Sequence, residues 1–256
     1  MRDNPVKQRL RAGGTVFGTM VFEFLSPGLP QMAANAGADY LLYDMEHSGL
    51  GIAEIKLQCA LCRGLGIVPL VRPPSKSYAD ISKLLDVGAM GLVFQMVESA
   101  EEAAELVSFT RYPPVGVRGA MFGAAHDDYR APYATETIEA ANDRLLLLAL
   151  VETPRGLDNV EKIAAVDGID AVHLGQGDLS VGLGIPGQMD DPRIQAAIDR
   201  VAAAAAAAGK PAAAGGGSAD WGRMLLDRGY RMISHASDIA LFQGGLAEGL
   251  AALRSR

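Results

Sequence analysis

Short apolar runs alternate with longer stretches of helical spacing along almost the whole chain. Runs suited to strands buried on both faces fall at Thr15–Val21, Tyr40–Tyr43, Ile67–Val71, Gly91–Phe94, Leu145–Val151, Ala171–Leu174, Pro211–Ala214 and Arg231–Ser234. Helical patterns occupy Pro27–Ala36, Ile52–Arg63, Tyr78–Val87, Ala100–Phe109, Gly156–Ala165, Pro192–Ala208, Ala219–Arg228 and Ile239–Leu253. Ser99 with Glu102 three residues on is a capping-box pattern at one helix start. The alanines Ala202–Ala208 favour helix strongly, and Gly209 and Pro211 stop it. Eight such alternations predict a closed (β/α)8 TIM barrel rather than an open doubly wound sheet. No linker-like stretch divides the chain, so residues 1–256 are expected to form a single barrel domain. One long connection, Thr110–Arg144, is rich enough in Arg, Tyr and Pro to be expected as an ordered loop.

Composition narrows the partners. A formal net charge of −7 argues against nucleic acid or an anionic membrane surface, both of which select basic proteins. No uninterrupted apolar stretch is long enough for a membrane span. With two cysteines and no secretory pattern in Met1–Gly14, a reducing, cytoplasmic location is expected.

In such barrels the chemistry gathers at the C-terminal ends of the strands. Asp44, Glu46 and His47 follow the second run, Arg72 the third, Gln95 the fourth, Glu152 the fifth, Asp178 the sixth and Ser234–Asp238 the eighth. Glu152 and Asp178 form the sharpest pair, because adjacent strands can bring both carboxylates to one point. Two hard oxygen ligands without a nearby thiolate suit Mg²⁺, Mn²⁺ or a similar cation, although each could instead cap a helix. His47 is open to three readings: a base, a metal ligand or a loop residue. Arg72 fits either a carboxylate clamp or a structural ion pair. His173 lies inside the sixth run and reads as a packed barrel residue. Cys59 and Cys62 fall in a helical apolar pattern and read as buried, inert thiols. Gly215-Gly216-Gly217 could bind phosphate through loop amides or serve as a connector. No lysine ends a strand run, which disfavours Schiff-base chemistry.

An ordered set of motifs now comes together: Leu41-Leu42-Tyr43-Asp44-Met45-Glu46-His47, Val71-Arg72-Pro73, Leu84-Leu85-Asp86-Val87-Gly88, Arg111-Tyr112-Pro113-Pro114 through Arg118-Gly119, Val151-Glu152-Thr153 and Leu174-Gly175-Gln176-Gly177-Asp178-Leu179-Ser180. Across essentially the whole chain this resembles the metal-dependent (class II) pyruvate aldolases typified by 4-hydroxy-2-oxoheptane-1,7-dioate aldolase. The resemblance implies reversible cleavage of 4-hydroxy-2-oxo acids to pyruvate and an aldehyde through a metal-stabilised enolate. It also implies a divalent cation (Mg, Mn or Co) and a homohexamer built as a trimer of dimers. Glu152 and Asp178 would bind the metal and His47 would be the base, strengthened by Asp86. Asp44 would orient His47 or a water, Arg72 would hold the pyruvyl group, and the Gly177 amide would meet the substrate carboxylate. Leu150 departs from the family pattern, standing where a substrate-binding Gln is expected. Met121–Arg130, which carries His126, Asp127 and Asp128, and the polar segment Ser234–Asp238 would set the aldehyde side. The resemblance further implies that the first of these loops reaches a neighbouring subunit's site. Two rival readings are a citrate- or malyl-CoA-type ester lyase and a non-catalytic barrel that binds a metal or metabolite. The first is weakened by the lack of an obvious basic site for the phosphates of CoA.

Overall fold

A computed structural model describes residues 2–130 and 135–255. Eight parallel strands close in sequence order: β1 (Val16–Val21), β2 (Tyr40–Asp44), β3 (Val68–Arg72), β4 (Gly91–Phe94), β5 (Leu146–Val151), β6 (Ala171–Leu174), β7 (Ala212–Gly216) and β8 (Tyr230–Ser237), with β8 pairing back to β1. The helices are α1 (Pro5–Arg11), α2 (Leu29–Asn35), α3 (Ile52–Leu61), α4 (Tyr78–Asp86), α5 (Ala100–Thr110), α6 (Thr135–Arg144), α7 (Pro154–Asp158), α8 (Val160–Ala164), α9 (Gln176–Gly182), α10 (Pro192–Ala207), α11 (Ala219–Asp227) and α12 (Asp238–Arg254). The fold is therefore a (β/α)8 TIM barrel, as the alternation predicts.

The continuous apolar runs have a simple cause: each strand is covered on both faces. Leu42, Leu70, Val93, Leu148, Leu150, Ala171 and Ala213 belong to a cluster inside the barrel. Their neighbours Leu41, Val71, Leu92, Leu147, Ala149 and Val172 pack outward under the helices. Caps fix the helix starts. The Ser77 hydroxyl accepts from the Asp80 amide at 3.2 Å, and the Ser99 hydroxyl from the Glu102 amide at 3.1 Å. Gly209, with φ +69°, follows the alanine-rich α10 and lets the chain turn left-handed there.

Several boundaries differ from expectation. The strand runs into the Gly-rich segment through Gly216, and β8 continues to Ser237. The predicted helix Gly156–Ala165 is divided at Asn159 into α7 and α8. Within the long connection lie a 3-10 turn, Ala125–Asp127, and the unpredicted α6, while residues 131–134 lie outside the described part. Arg118 orders the first half of this connection. Its guanidinium stacks 4.6 Å from the Tyr112 ring and pairs with Asp86 at 2.7 Å.

Candidate active site

A cavity of about 350 Å³ opens at the C-terminal end of the barrel, with Arg72, Glu152 and Asp178 on its polar side. Met20, Leu42, Val93 and Leu150 line the apolar floor, and Gly175–Gly177, Gly215–Gly217, Ala236 and Ser237 line its walls. Register puts Asp44 directly opposite Arg72 at the ends of β2 and β3. Arg72 is buried, and its guanidinium pairs with the fully buried Asp44 and, at 3.1 Å, with Glu46. Asp44 also accepts from the backbone amides of Glu46, at 2.8 Å, and His47, at 3.0 Å. One carboxylate thus fixes both the guanidinium and the loop that carries His47. The His47 side chain is 57% exposed and is not among the residues lining the cavity; its Nε2 lies 3.7 Å from Glu46. Glu46 is consequently the bridge between His47 and Arg72, a role its position alone did not reveal.

Glu152 follows β5 and is only 3% exposed. Its Oε1 accepts the Met96 amide at 2.8 Å, and Met96 takes a left-handed φ of +46°. Gly175 is required beside it: a Cβ there would lie 2.5 Å from the Glu152 Cβ. Burial pushes the Glu152 carboxyl up to about 7; the Met96 amide opposes this and the nearby Asp178 carboxylate adds to it. Asp44 and Glu46 therefore engage the Arg72 guanidinium directly, and Glu152, with Asp178 near it, feels its charge. Among the described residues no group of three or more His, Cys, Asp or Glu side chains is arranged to hold a metal ion. Glu152, buried, and Asp178, exposed beside it, are two oxygen donors on one cavity, which fits a hard cation completed by substrate oxygens or water. No lysine lines the cavity among the described residues.

Leu150 and Gly177 both line the cavity, as their sequence positions suggest. Gly177 is the second residue of α9, where a backbone N–H has no partner within the helix. Asp86 does not join this group. It ends α4, nine residues of helix beyond the β3 rim, and pairs with Arg118 near the opposite end of the barrel. A helix of that length spans about 13 Å, and the ion pair that Asp86 makes within this chain is with Arg118, not His47. Met121–Arg130 is also absent from the cavity wall: His126 and Asp127 are buried, and His126 lies near Tyr112. In the eighth-strand segment, Ala236 and Ser237 reach the cavity, whereas Asp238 accepts the backbone amides of Phe22, Glu23 and Phe24. His173 is buried as expected, but it also lines the cavity. Burial, and then the Arg72 charge, push its imidazole down to about 4. Cys59 and Cys62 are free and buried, and burial raises both thiols, Cys62 to about 11.

The family model for HpcH/HpaI aldolase/citrate lyase matches residues 20–243. A hydroxypyruvate/pyruvate aldolase of Pseudomonas aeruginosa is 36% identical over 245 residues, covering 96% of this chain and 91% of that protein. A 2-keto-3-deoxy-L-rhamnonate aldolase of Escherichia coli (strain K12) is 34% identical over 252 residues, covering 98% of this chain and 94% of that protein. The crystal structure of an HpcH/HpaI aldolase from Desulfitobacterium hafniense DCB-2 superposes with a TM-score of 0.94 at 31% identity, covering 98% of this chain and 97% of that one. A buried glutamate beside an exposed aspartate, and an anchored arginine, at the mouth of a TIM barrel thus coincide with whole-length likeness to aldolases, and the chain belongs to the HpcH/HpaI aldolase/citrate lyase family of carbon–carbon lyases.

Proposed function

We propose that this chain is a divalent-cation-dependent pyruvate aldolase that reversibly cleaves 4-hydroxy-2-oxo acids to pyruvate and an aldehyde. The observation that carries this reading is the buried Glu152 carboxylate beside Asp178, facing the same cavity as Arg72. Glu152 and Asp178 would hold the cation (Mg²⁺, Mn²⁺ or Co²⁺). When bound, it supplies Lewis-acid stabilisation of negative charge on the keto oxygen. Arg72, held rigid by Asp44 and Glu46, donates hydrogen bonds to that oxygen as the C3–C4 electron pair moves into the carbonyl. The Gly177 N–H orients the substrate carboxylate. His47 takes the 4-hydroxyl proton, directly or through water, as the aldehyde C=O forms. A proton then adds at C3 of the enolate to give pyruvate. Leu150 cannot donate a hydrogen bond, so orientation rests on the other contacts and the acceptor side is expected to tolerate several small hydroxylated aldehydes.

The CoA-ester reading finds less support. Arg72 is the one cationic side chain among the described cavity residues, and two carboxylates already engage it. A trimer-of-dimers hexamer is supported by α12, which exposes Leu241, Phe242, Leu246, Leu250 and Leu253. It is also supported by an apolar groove of about 370 Å³ beside β1 and α2. No helix among the described residues is long and apolar enough to cross a membrane. The two free thiols fit the expected cytoplasmic site.

Pyruvate release from a panel of 4-hydroxy-2-oxo acids tests the function. Turnover should stop on chelation and return with Mg²⁺, Mn²⁺ or Co²⁺. Undiminished turnover in a rigorously cation-free preparation would defeat the reading.

A further inference from the structure

Lys76 lies in the connection from β3 to α4, at the C-terminal end of the barrel, and takes no part in the chemistry above. Its Nζ donates to the Met96 carbonyl at 2.9 Å and pairs with Glu102 of α5. Glu102 in turn accepts the Glu98 amide at 2.9 Å. The Met96–Val97 peptide is therefore pinned on both sides, because the Val97 amide donates to the Leu150 carbonyl of β5 at 3.0 Å. The preceding Gln95–Met96 peptide carries the N–H that Glu152 Oε1 accepts at 2.8 Å. Between the two peptides stands the Met96 φ of +46°, a left-handed value that a residue with a side chain keeps only where its surroundings hold it. The Met96 side chain does not supply that hold, since it is largely exposed.

We infer that Lys76 is a positioning residue for Glu152: by holding the Met96 turn, it fixes the N–H that orients this carboxylate in the cavity. The inference rests on the reading of Glu152 and Asp178 as cation ligands. A ligand carboxylate already held in one orientation has less freedom to lose on binding, and the groups behind a ligand carry much of a site's affinity. The Lys76–Glu102 pair has side chains 30% and 28% exposed, and pairs so open to water add little to stability. Its contribution is local: it sets where the Met96 carbonyl points, and through the turn where the Met96 N–H points.

Charge and position predict opposite signs here. Removing a positive charge near a cation site by itself favours the cation. Releasing the Met96 turn instead weakens the site. The test is titration calorimetry with Mn²⁺ on the wild type, Lys76→Met and Lys76→Arg. Lys76→Met should bind Mn²⁺ about 3- to 10-fold more weakly, less than the loss typical of a direct partner of a ligand because it acts through one further contact. Lys76→Arg keeps a donor for the Met96 carbonyl and a charge for Glu102, so it should stay near wild type. In turnover, the loss should show as a raised Mn²⁺ requirement rather than a lowered kcat at saturating Mn²⁺. The melting temperature of Lys76→Met without Mn²⁺ should stay close to that of wild type. Should that variant fail to fold, Lys76→Ala removes the same contact and the same affinity decides. Unchanged or tighter Mn²⁺ binding in a folded Met or Ala variant, or an Arg variant as weak as the Met one, overturns this inference alone. A wild type that binds no Mn²⁺ overturns the cation reading with it.

Discussion

Glu152 concentrates the physical conflict that defines the site. Burial alone would make a carboxylate expensive to ionise, and the Asp178 charge deepens the penalty. In the cation-free protein its carboxyl is held up at about 7 against an ordinary 4.5. The native state therefore binds this proton more tightly than the unfolded chain does. Stability from this group is present below the unfolded value and is lost as pH rises through about 7, a change on the order of 3 kcal/mol. On the proposed function, a divalent cation held by Glu152 must displace the same proton. Cation affinity should accordingly fall about tenfold per pH unit below 7 and level off above it. Titration calorimetry at several pH values measures this directly. Glu152→Gln should bind more weakly and lose most of the slope. A flat affinity for the wild type between pH 5 and 7 would show that Glu152 is not a ligand.

The strands were legible because burial on both faces leaves near-continuous apolar runs, as in β5, where Leu146–Val151 are all buried. Helices with a capped start and a packed face, such as α4 and α11, were legible for a similar reason. α9 was not: Gln176–Gly182 has glycines at 177 and 182, and it buries only Leu179 and Ser180. α6 carries Thr135–Arg144, a mostly polar segment that buries Ala141, so it has little apolar stripe to read. The rim carboxylates and Arg72 could be found because a charged residue directly after a buried strand has few places to point. Asp86 rests on the resemblance alone, because sequence order does not say at which end of a helix a residue lies relative to the rim. Its pairing with Arg118 across the long connection is a tertiary contact without a local pattern. His173 was rightly read as a barrel residue. Its alternation with inward-facing Ala171 on β6 is the signal that also points its ring into the cavity.

At the scale of the whole molecule, α12 is the element least explained by one chain. It runs for 17 residues, about 25 Å, yet Asp238 at its start is its only buried residue. Phe242 touches the ring of Phe24 at 5.5 Å, while Leu246, Leu250 and Leu253 remain exposed. An exposed apolar stripe of this length is expected to be covered by other copies of the chain. Light scattering should report a hexamer for the natural sequence and a smaller species for Phe242→Glu combined with Leu246→Glu. A natural chain that is monomeric at micromolar concentration would contradict this. The central claim is that the carboxylate pair and Arg72 together make a pyruvate enolate, and the exchange of pyruvate methyl protons in deuterated water tests it most directly. No aldehyde is needed, so acceptor choice cannot obscure the result. With pyruvate alone, the cation-loaded protein should exchange methyl protons for deuterium, and chelation or Glu152→Gln should abolish the exchange. No exchange by the loaded wild type, or an unchanged rate after chelation, would contradict the account.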